Sequence, residues 1–265
     1  MCEFQLTLLF DLGESGQNQR SFMPCFYVPF LSDDTKPITI SGDEFHHIAH
    51  VFRYQVGDEI QLTSGKGLLG TAKITSLDKR QLTAEILDIC RKEKSSPRVA
   101  AAIPLLKNKH DALIVEKLTE LGVSDFFPIL TERSVRQASA NTIDKLEKIA
   151  IAAIKQCDNA FLPQIHPAQT LVEFLENPTE FQPLVALESG KNIPLTLLLK
   201  QMPPQPLCFI IGPEGGFSEK EIMYFQKKQI PTFTLGNHIL RAETAAIATA
   251  AQIFGFFLEK NESYY

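Results

Sequence analysis

The segment 207-LCFIIGPEGGFSEKE-221 is the most informative about the fold, because it joins an apolar run to a helix-like segment through a glycine-rich loop. The run 207–211 has the length and composition of a strand buried on both faces, which favours a parallel sheet. Ser218 and Glu221 have the spacing of a capping box, so a helix is predicted to begin at the residue after the serine. The connecting loop therefore spans 212–217.

The chemistry of this loop leaves two interpretations open. Gly212, Gly215 and Gly216 match neither the dinucleotide-binding spacing nor a Walker motif, which requires a lysine after the last glycine. One interpretation is a plain turn in which glycine supplies positive φ, and the other is a cofactor-binding loop. Glu214 favours the binding loop, because a carboxylate between proline and glycine is fixed in direction and adds little to packing.

A second segment, 235-LGNHILRAETAAIATAAQIFGFFLE-259, is almost entirely small or apolar after its first residues. It predicts a helix that is buried nearly all round. Its alanines would let another backbone approach closely, from the same chain or from a partner subunit. Arg241 and Glu243 stand where this helix begins, and charges beside an apolar helix are usually paired or functional, because burying them alone is costly.

The two segments together resemble a known family. GPEGGFS at 212–218, followed by LGNHILRAETA at 235–245, resembles the SPOUT methyltransferases that methylate N3 of uridine in small-subunit ribosomal RNA. Further stretches match in the same order, namely the Phe-Tyr-Val at residue 26, KLTELGV and FFPILTERSV within 117–135, and the region of Gln156. The resemblance extends from Met23 to about Leu258.

The resemblance implies both a fold and a function. The expected fold is α/β, with an N-terminal PUA-like β-barrel and a C-terminal SPOUT domain that has a parallel sheet and a deep trefoil knot. The implied donor is S-adenosylmethionine, and the implied partner is 16S rRNA within the 30S subunit. A homodimer in the cytoplasm is expected, with the donor pocket near the subunit interface.

Site residues follow from the same resemblance, position by position. In the reaction, Arg241 is expected to stabilise the negative uracilate or to grip phosphate. Glu214 or Glu243 is expected to accept the N3 proton, unless either one simply pairs with the arginine. The residues expected to bind the donor are Leu187, Gly212, Gly216, Leu235, Gly236, Leu240, Arg241 and Thr244.

Three residues are expected to contact RNA by resemblance: Arg53, Arg133 and Gln156. A surface salt bridge is an equally good explanation of Arg133. The chain also departs from the family near Gln156, since Lys155 and Asn159 stand where the family often has glutamate and arginine. These departures concern RNA positioning and leave donor binding untouched.

The sequence predicts three segments. Residues 1–22 form an extension with no secretory signal, and Met23 is a candidate start because relatives begin near the Phe-Tyr-Val strand. Residues 23–94 show short alternating stretches separated by turns, as in a small barrel. A polar break near Ser95 opens the α/β domain 95–265, in which strands and helices alternate.

Composition sets further limits. With 44% hydrophobic residues and no apolar run as long as a membrane span, the chain is predicted to be soluble. The net charge of −5 counts against nucleic-acid binding, although basic residues cluster at 91–98. His46 and His50 have the i, i+4 spacing of metal ligands, but a third ligand and a glutamate base are missing, so no metal site is predicted.

Two rival functions remain. One is an enzyme that uses the same loop for another nucleotide cofactor, and the missing Walker lysine counts against it. The other is a catalytically degenerate RNA-binding protein with a PUA-like barrel, which would bind RNA but not S-adenosylmethionine. The intact GPEGG and LRAET motifs count against this second rival.

Overall fold

The computed structural model describes residues 24–34, 37–107, 110–177, 179–188 and 192–262, with side chains described as far as residue 259. The predicted N-terminal extension 1–22 lies outside the described residues. The chain divides into two compact units, Met1–Lys92 and Glu93–Tyr265. This division falls just before Ser95, the position at which the sequence suggests the domain boundary.

The first unit is a five-stranded sheet with strand order β1-β3-β4-β5-β2. Strands β1 and β3 are parallel, and the other neighbours are antiparallel. A short helix, α1 (Gly42–His46), continues into a π-helical turn, His47–Val51. The strands are β1 (Cys25–Tyr27), β2 (Ile38–Ser41), β3 (Glu59–Thr63), β4 (Leu68–Leu77) and β5 (Gln81–Arg91).

The sheet of the first unit wraps around one apolar core. Buried and partly exposed residues alternate along β4 and β5, as expected when one face of a sheet meets a core. Phe26, Ile48 and Leu62 are completely buried there. In the described part of the chain no ladder joins β1 to β2, so the predicted PUA-like barrel is an open, curled half-barrel.

The second unit contains an eight-stranded, wholly parallel sheet with the order β11-β13-β10-β12-β6-β7-β8, and β9 also pairs with β7. The parallel sheet predicted from the apolar run at 207–211 is therefore confirmed. The strands are β6 (Val99–Pro104), β7 (Asp125–Leu130), β8 (Gln164–Ile165), β9 (Gln169–Thr170), β10 (Gln182–Ala186), β11 (Ile193–Pro194), β12 (Leu207–Ile210) and β13 (Thr232–Thr234).

Helices cover both faces of this sheet. On β12, Leu207 and Phe209 pack into the core formed with α2, α3, α5 and α7, whereas Cys208 and Ile210 pack into the core formed with α4 and α6. All four residues are buried, as the continuous apolar run predicts. The helices are α2 (His110–Leu121), α3 (Thr142–Gln156), α4 (Leu171–Glu176), α5 (Leu195–Gln201), α6 (Glu219–Lys227) and α7 (Ala242–Glu262).

The prediction that α7 is buried nearly all round is wrong for the single chain. One stripe of the helix, including Ala246, Ala250 and Ile253, is completely buried, but Thr244 and Ala251 are exposed. Alanine presents little apolar surface to water, so an alanine-rich face can stay exposed at small cost. Hydrophobic composition alone therefore overestimated the burial of this helix.

Two further predictions concern membrane spans and the knot. None of the helices in the described residues is long and apolar enough to cross a membrane. The deep trefoil knot stays a prediction from the family resemblance.

Candidate functional site

A large cavity opens at the carboxyl ends of three neighbouring strands of the parallel sheet. Its volume is about 990 Å³, near the upper limit for small-molecule and cofactor sites. The lining comes mainly from the segments 186–188, 211–217 and 233–243, which follow β10, β12 and β13. Ligands of open α/β sheets characteristically bind beyond the carboxyl ends of the strands.

The glycine-rich loop forms one wall of this cavity. Gly216 has φ +66°, and its N–H donates to the carbonyl oxygen of Pro213 over 2.8 Å. A Cβ at Gly216 would also lie 3.3 Å from Oε1 of Glu188. The prediction that this loop needs glycine for positive φ is confirmed at Gly216. At Gly212 the restriction is steric, because a Cβ there would lie 3.1 Å from the ring of Phe217.

The predicted capping box at the start of α6 is confirmed. The Ser218 hydroxyl accepts from the N–H of Glu221 over 3.2 Å, and Oε2 of Glu221 accepts from the N–H of Ser218 over 2.7 Å. The same carboxylate has a second function, since Oε1 accepts from the N–H of Glu132 over 2.9 Å. The buried Glu221 therefore ties the turn after β7 to the end of the glycine-rich loop.

Arg133 makes a second connection between the same two segments. Its Nη1 donates to the carbonyl oxygen of Gly215 over 2.7 Å, and the residue lines the cavity. The side chain therefore contacts the backbone of the glycine-rich loop. RNA contact by Arg133, which the family resemblance implies, stays a prediction.

The two candidate bases have partners other than Arg241. The backbone N–H of Lys107 donates to Oε1 of Glu214 over 3.3 Å, and Nδ1 of His110 lies 3.0 Å from Oε1 of Glu243. Among the described residues, Arg241 forms no ion pair. The arginine is exposed, lines the cavity and immediately precedes α7.

Most of the residues expected to bind the donor are brought together. Gly236 and Thr244 are not among the lining residues. Gly236 has φ +147° and sits in a turn in which its N–H donates to Oγ1 of Thr234 over 3.3 Å. Thr244 is exposed on the first turn of α7. The predicted residues that do line the cavity are Leu187, Gly212, Gly216, Leu235, Leu240 and Arg241.

The lining carries charges of both signs. Four carboxylates and three cationic side chains contribute to it, together with two histidines. A pocket built for a polyphosphate would be expected to carry a clear excess of cations. The charged and histidine residues of the lining that were not predicted from the sequence are Lys107, His110, Glu188, Glu219 and His238. Only Glu188 had a usable signal, because it follows a predicted strand directly.

The other predicted RNA contacts lie outside this cavity. Arg53 is exposed in the first unit and has φ +60°, an unusual conformation for a residue other than glycine. Gln156 is exposed at the end of α3. The nearby departure Asn159 has a structural explanation, since its Nδ2 donates to the carbonyl oxygen of Thr119 over 3.2 Å, near the end of α2.

The cavity is compatible with an adenosine-containing sulfonium donor. Small residues at 212, 215 and 216 let a ligand approach the backbone closely. Leucines at 187, 235 and 240 supply apolar surface for an adenine ring, and backbone groups of the same loops offer hydrogen bonds. Carboxylates in the lining suit a ligand that carries a positive sulfonium and an amino group.

Comparison with family models and known proteins agrees with this geometry. Residues 92–254 match a model described as an RNA methyltransferase domain, and residues 40–87 match one described as an RNA methyltransferase PUA domain. The first match alone covers more than half of the chain, and the second coincides with most of the curled sheet.

Individual relatives carry one shared name. Ribosomal RNA small subunit methyltransferase E of Synechocystis is 31% identical over 220 residues, which cover 82% of this chain and 72% of that protein. The Bacillus subtilis protein of the same name is 26% identical over 232 residues, covering 83% and 91% respectively.

Two solved structures extend the comparison to three dimensions. Ribosomal RNA small subunit methyltransferase E from Neisseria gonorrhoeae, bound to S-adenosyl methionine, is 28% identical with a TM-score of 0.78, covering 87% of this chain and 96% of that one. A methyltransferase structure from Legionella pneumophila, also with bound cofactor, is 26% identical with a TM-score of 0.78, covering 88% and 96%. The chain therefore belongs to the ribosomal RNA small subunit methyltransferase E family.

Proposed function

We propose that this protein transfers a methyl group from S-adenosylmethionine to N3 of a specific uridine in 16S rRNA. The single observation that carries the proposal is the cavity beyond β10, β12 and β13, in which the glycine-rich loop and the segment before α7 face one ligand-sized space. Relatives in the same family are named ribosomal RNA small subunit methyltransferases, and one of them is solved with S-adenosyl methionine bound.

The reaction requires orientation, charge stabilisation and a proton acceptor. The donor supplies an electrophilic methyl group when it is bound. The protein's residues must hold the uracil in line with that methyl group and accept the proton that leaves N3. We assign the enclosure of the donor to Leu187, Leu235 and Leu240 and its close backbone contacts to Gly212 and Gly216.

Arg241 is assigned to the uracil side of the site. Loss of the N3 proton leaves negative charge on the uracil ring, and a guanidinium that lines the cavity would stabilise this charge. The absence of an ion pair to Arg241 within the described residues keeps its charge available for a substrate. Thr244 and Gly236 act, in this proposal, by shaping the segment around the arginine.

The first unit is assigned to RNA binding. Its family match is to an RNA methyltransferase PUA domain, and Arg53 is an exposed cation on it. In the second unit, which corresponds to the predicted domain 95–265, the proposed RNA contacts are Arg133 and Gln156. Net charge of −5 means that such contacts must be local, because the chain as a whole is not basic.

The proposal also covers the oligomeric state of the protein and its location in the cell. We assign a homodimer, supported by Ile239, which lines the cavity and is 79% exposed. A partner subunit would cover such apolar surface. The proposed substrate is 16S rRNA in the 30S subunit, which places the protein in the cytoplasm.

The decisive experiment combines donor binding with detection of the product. Calorimetry of the purified protein with S-adenosylmethionine, with ATP as the control, tests the cavity, and the Gly212→Val variant is expected to lose binding because its side chain would displace Phe217. Product is read on 16S rRNA and on 30S subunits from cells that lack the enzyme. N3 methylation blocks the Watson–Crick edge of uridine, so reverse transcription stops one nucleotide before the modified base.

The possible results separate the proposal from its rivals. Donor binding with a new stop at one uridine supports the methyltransferase function. Preference for ATP would favour an enzyme with another nucleotide cofactor. RNA binding without donor binding or a stop would favour the catalytically degenerate RNA-binding protein.

A further inference from the structure

The contact between His110 and Glu243 is the feature of the cavity that the family motifs did not predict. His110 is the first residue of α2, and Glu243 is in the first turn of α7. Nδ1 of the imidazole lies 3.0 Å from Oε1 of the carboxylate, and both residues line the cavity. The two side chains therefore meet at the wall of the proposed donor site.

The two partners differ in exposure. The side chain of Glu243 is 13% exposed, whereas that of His110 is 35% exposed. Among the described residues, Nε2 of His110 has no hydrogen-bond partner, so the second ring nitrogen remains available. An imidazole with one nitrogen beside a carboxylate and the other available has the arrangement of a general base with an orienting acid.

From this geometry we propose that His110 accepts the N3 proton of the target uridine, and that Glu243 holds the imidazole and stabilises the imidazolium that forms. The inference rests on the proposed methyl transfer. Under this inference Glu243 is a positioning residue, and His110 is the residue that contacts the substrate proton.

The step balances in atoms and electrons. The N3–H bond of uracil breaks, the proton passes to Nε2 of His110, and the electron pair of that bond forms the new bond from N3 to the methyl carbon. The bond from sulfur to that carbon breaks, and its electron pair stays on sulfur, giving S-adenosylhomocysteine. The imidazolium then returns its proton to water through the exposed side of the ring.

Several features favour His110 over the carboxylates as the direct base. Glu243 is already in contact with the imidazole, and Oε1 of Glu214 accepts from the backbone N–H of Lys107. A neutral imidazole is the side chain best suited to accept a proton near neutral pH. The negative charge of Glu243 favours the protonated product of that step, because a cation would form 3.0 Å from a carboxylate.

The kinetic test measures methylation of the RNA as a function of pH. A base must be unprotonated to accept the N3 proton, so the wild-type rate should rise with pH until the base is fully unprotonated. His110→Gln should abolish this rise and lower kcat by about 10²-fold or more. Glu243→Gln should lower kcat by less, with little change in KM for the donor. The other charged groups lining the same cavity are Lys107, Arg133, Glu188, Glu214, Glu219 and Arg241.

His238 provides a matched control, because it is a second imidazole that lines the cavity. Whatever its absolute rate, His238→Gln should keep the rise of rate with pH. The inference would be overturned if the methylation rate no longer rose with pH in His238→Gln but still rose with pH in His110→Gln. Loss of rate in His110→Gln with an unchanged pH profile would also overturn it, since that result describes a structural tether between α2 and α7.

A second readout does not depend on turnover. Diethyl pyrocarbonate acylates neutral imidazoles, and peptide mapping by mass spectrometry locates the modified residue among the six histidines of the chain. His110 should be modified in the free protein and protected when 16S rRNA and S-adenosylhomocysteine are bound. Equal modification with and without these ligands would overturn the inference.

Donor affinity separates this inference from the function on which it rests. Calorimetry should show that His110→Gln still binds S-adenosylmethionine, because the proposed enclosure of the donor by Leu187, Leu235 and Leu240 is unchanged. A wild-type protein that methylates RNA while His110→Gln is equally active would overturn only the base assignment. A wild-type protein that neither binds the donor nor methylates RNA would overturn the proposed function, and the base assignment with it.

Discussion

Arg133 and Gly215 lie 82 residues apart in the chain, and Nη1 of the arginine donates a hydrogen bond of 2.7 Å to the carbonyl oxygen of the glycine. The bond connects the turn after β7 to the loop after β12, which are not neighbouring strands in the sheet. It fixes the direction of one peptide unit in the glycine-rich loop. The shape of the proposed donor site therefore depends on a side chain outside both sequence motifs.

Arg133→Ala should weaken donor binding without unfolding the protein. Loss of a hydrogen bond from a charged group that is largely exposed should cost about 1 kcal/mol, or roughly a fivefold rise in the Kd for S-adenosylmethionine. Calorimetry measures this change directly. Lys220→Ala is the control, because Lys220 is 81% exposed and approaches the same turn only at 3.9 Å from Glu132. An equal loss in both variants would contradict this explanation.

Gly216→Ala should impair the donor site more than Gly215→Ala. Gly216 has φ +66°, and its added Cβ would lie 3.3 Å from Glu188, so strain of about 1 kcal/mol or more is expected. A Cβ at Gly215 would make an ordinary contact with Arg133 at 3.5 Å. Thermal unfolding and donor calorimetry of the two variants check the order, and a reversed order would show that backbone conformation does not control this loop.

Glu221→Ala should affect both stability and donor binding. The buried carboxylate accepts from the N–H groups of Ser218 and Glu132, and leaving these donors unsatisfied should cost about 2 kcal/mol of unfolding free energy. Urea unfolding and calorimetry measure the two effects.

The capping box of α4 is the natural comparison for this variant. Thr170 and Glu173 form the same reciprocal pair, but Glu173 is exposed, and within the described part of the chain its carboxylate bonds only to Thr170. Glu173→Ala should therefore lower stability slightly and leave donor affinity unchanged. A loss of donor affinity in Glu173→Ala would mean that helix capping, and not the bond to Glu132, is responsible.

Acid should destabilise the second unit through Asp125. Burial alone would raise the pKa of Asp125, but hydrogen bonds from His166, Ser124 and Arg98, with the charge of Arg98, outweigh burial and lower it. Because the folded pKa lies below the ordinary value of 3.8, these contacts stabilise the fold fully above that pH. Their contribution is lost as the pH falls through the folded pKa. Urea unfolding at pH 7 and near pH 3 should show this loss.

Arg98→Ala tests the contribution of the Asp125 contacts to stability at neutral pH. The side chain of Asp125 is 3% exposed, so removing its cationic partner should cost about 3 kcal/mol, at the low end for a broken buried pair because Ser124 and His166 remain. The control is Arg91→Ala, since Arg91 and Asp33 are 63% and 62% exposed and such pairs contribute little. Equal effects of the two variants would argue against a stabilising network at Asp125.

Arg53→Ala tests the proposed RNA-binding function of the first unit. RNA affinity should fall while donor affinity stays constant, because Arg53 lies outside the donor cavity. If the arginine neutralises one phosphate, the slope of log K against log salt should become less steep by about 0.7 to 0.9. Fluorescence anisotropy with a 16S rRNA fragment at several salt concentrations measures both quantities. An unchanged affinity and slope would exclude Arg53 from the RNA interface.

Local sequence patterns predicted much of the architecture. The apolar run at 207–211 predicted a strand buried on both faces, and Ser218 with Glu221 predicted the start of α6, because these features depend on neighbours in the chain. Burial of α7 was overestimated, because composition does not say which face of a helix meets the core. Gly212, Gly216 and Arg241, which belong to the two motifs, line the cavity, and their functions in donor binding and catalysis stay predictions.

Local patterns thus predicted the parallel sheet and the two motif segments that line the cavity. The partners of the site residues, such as Arg133 with Gly215 and His110 with Glu243, became known only from the folded structure. The difference lies in the distance along the chain over which each interaction acts. Propensity, capping and hydrophobic periodicity act over a few residues, whereas these contacts join segments that become neighbours only when the strands are ordered in the sheet.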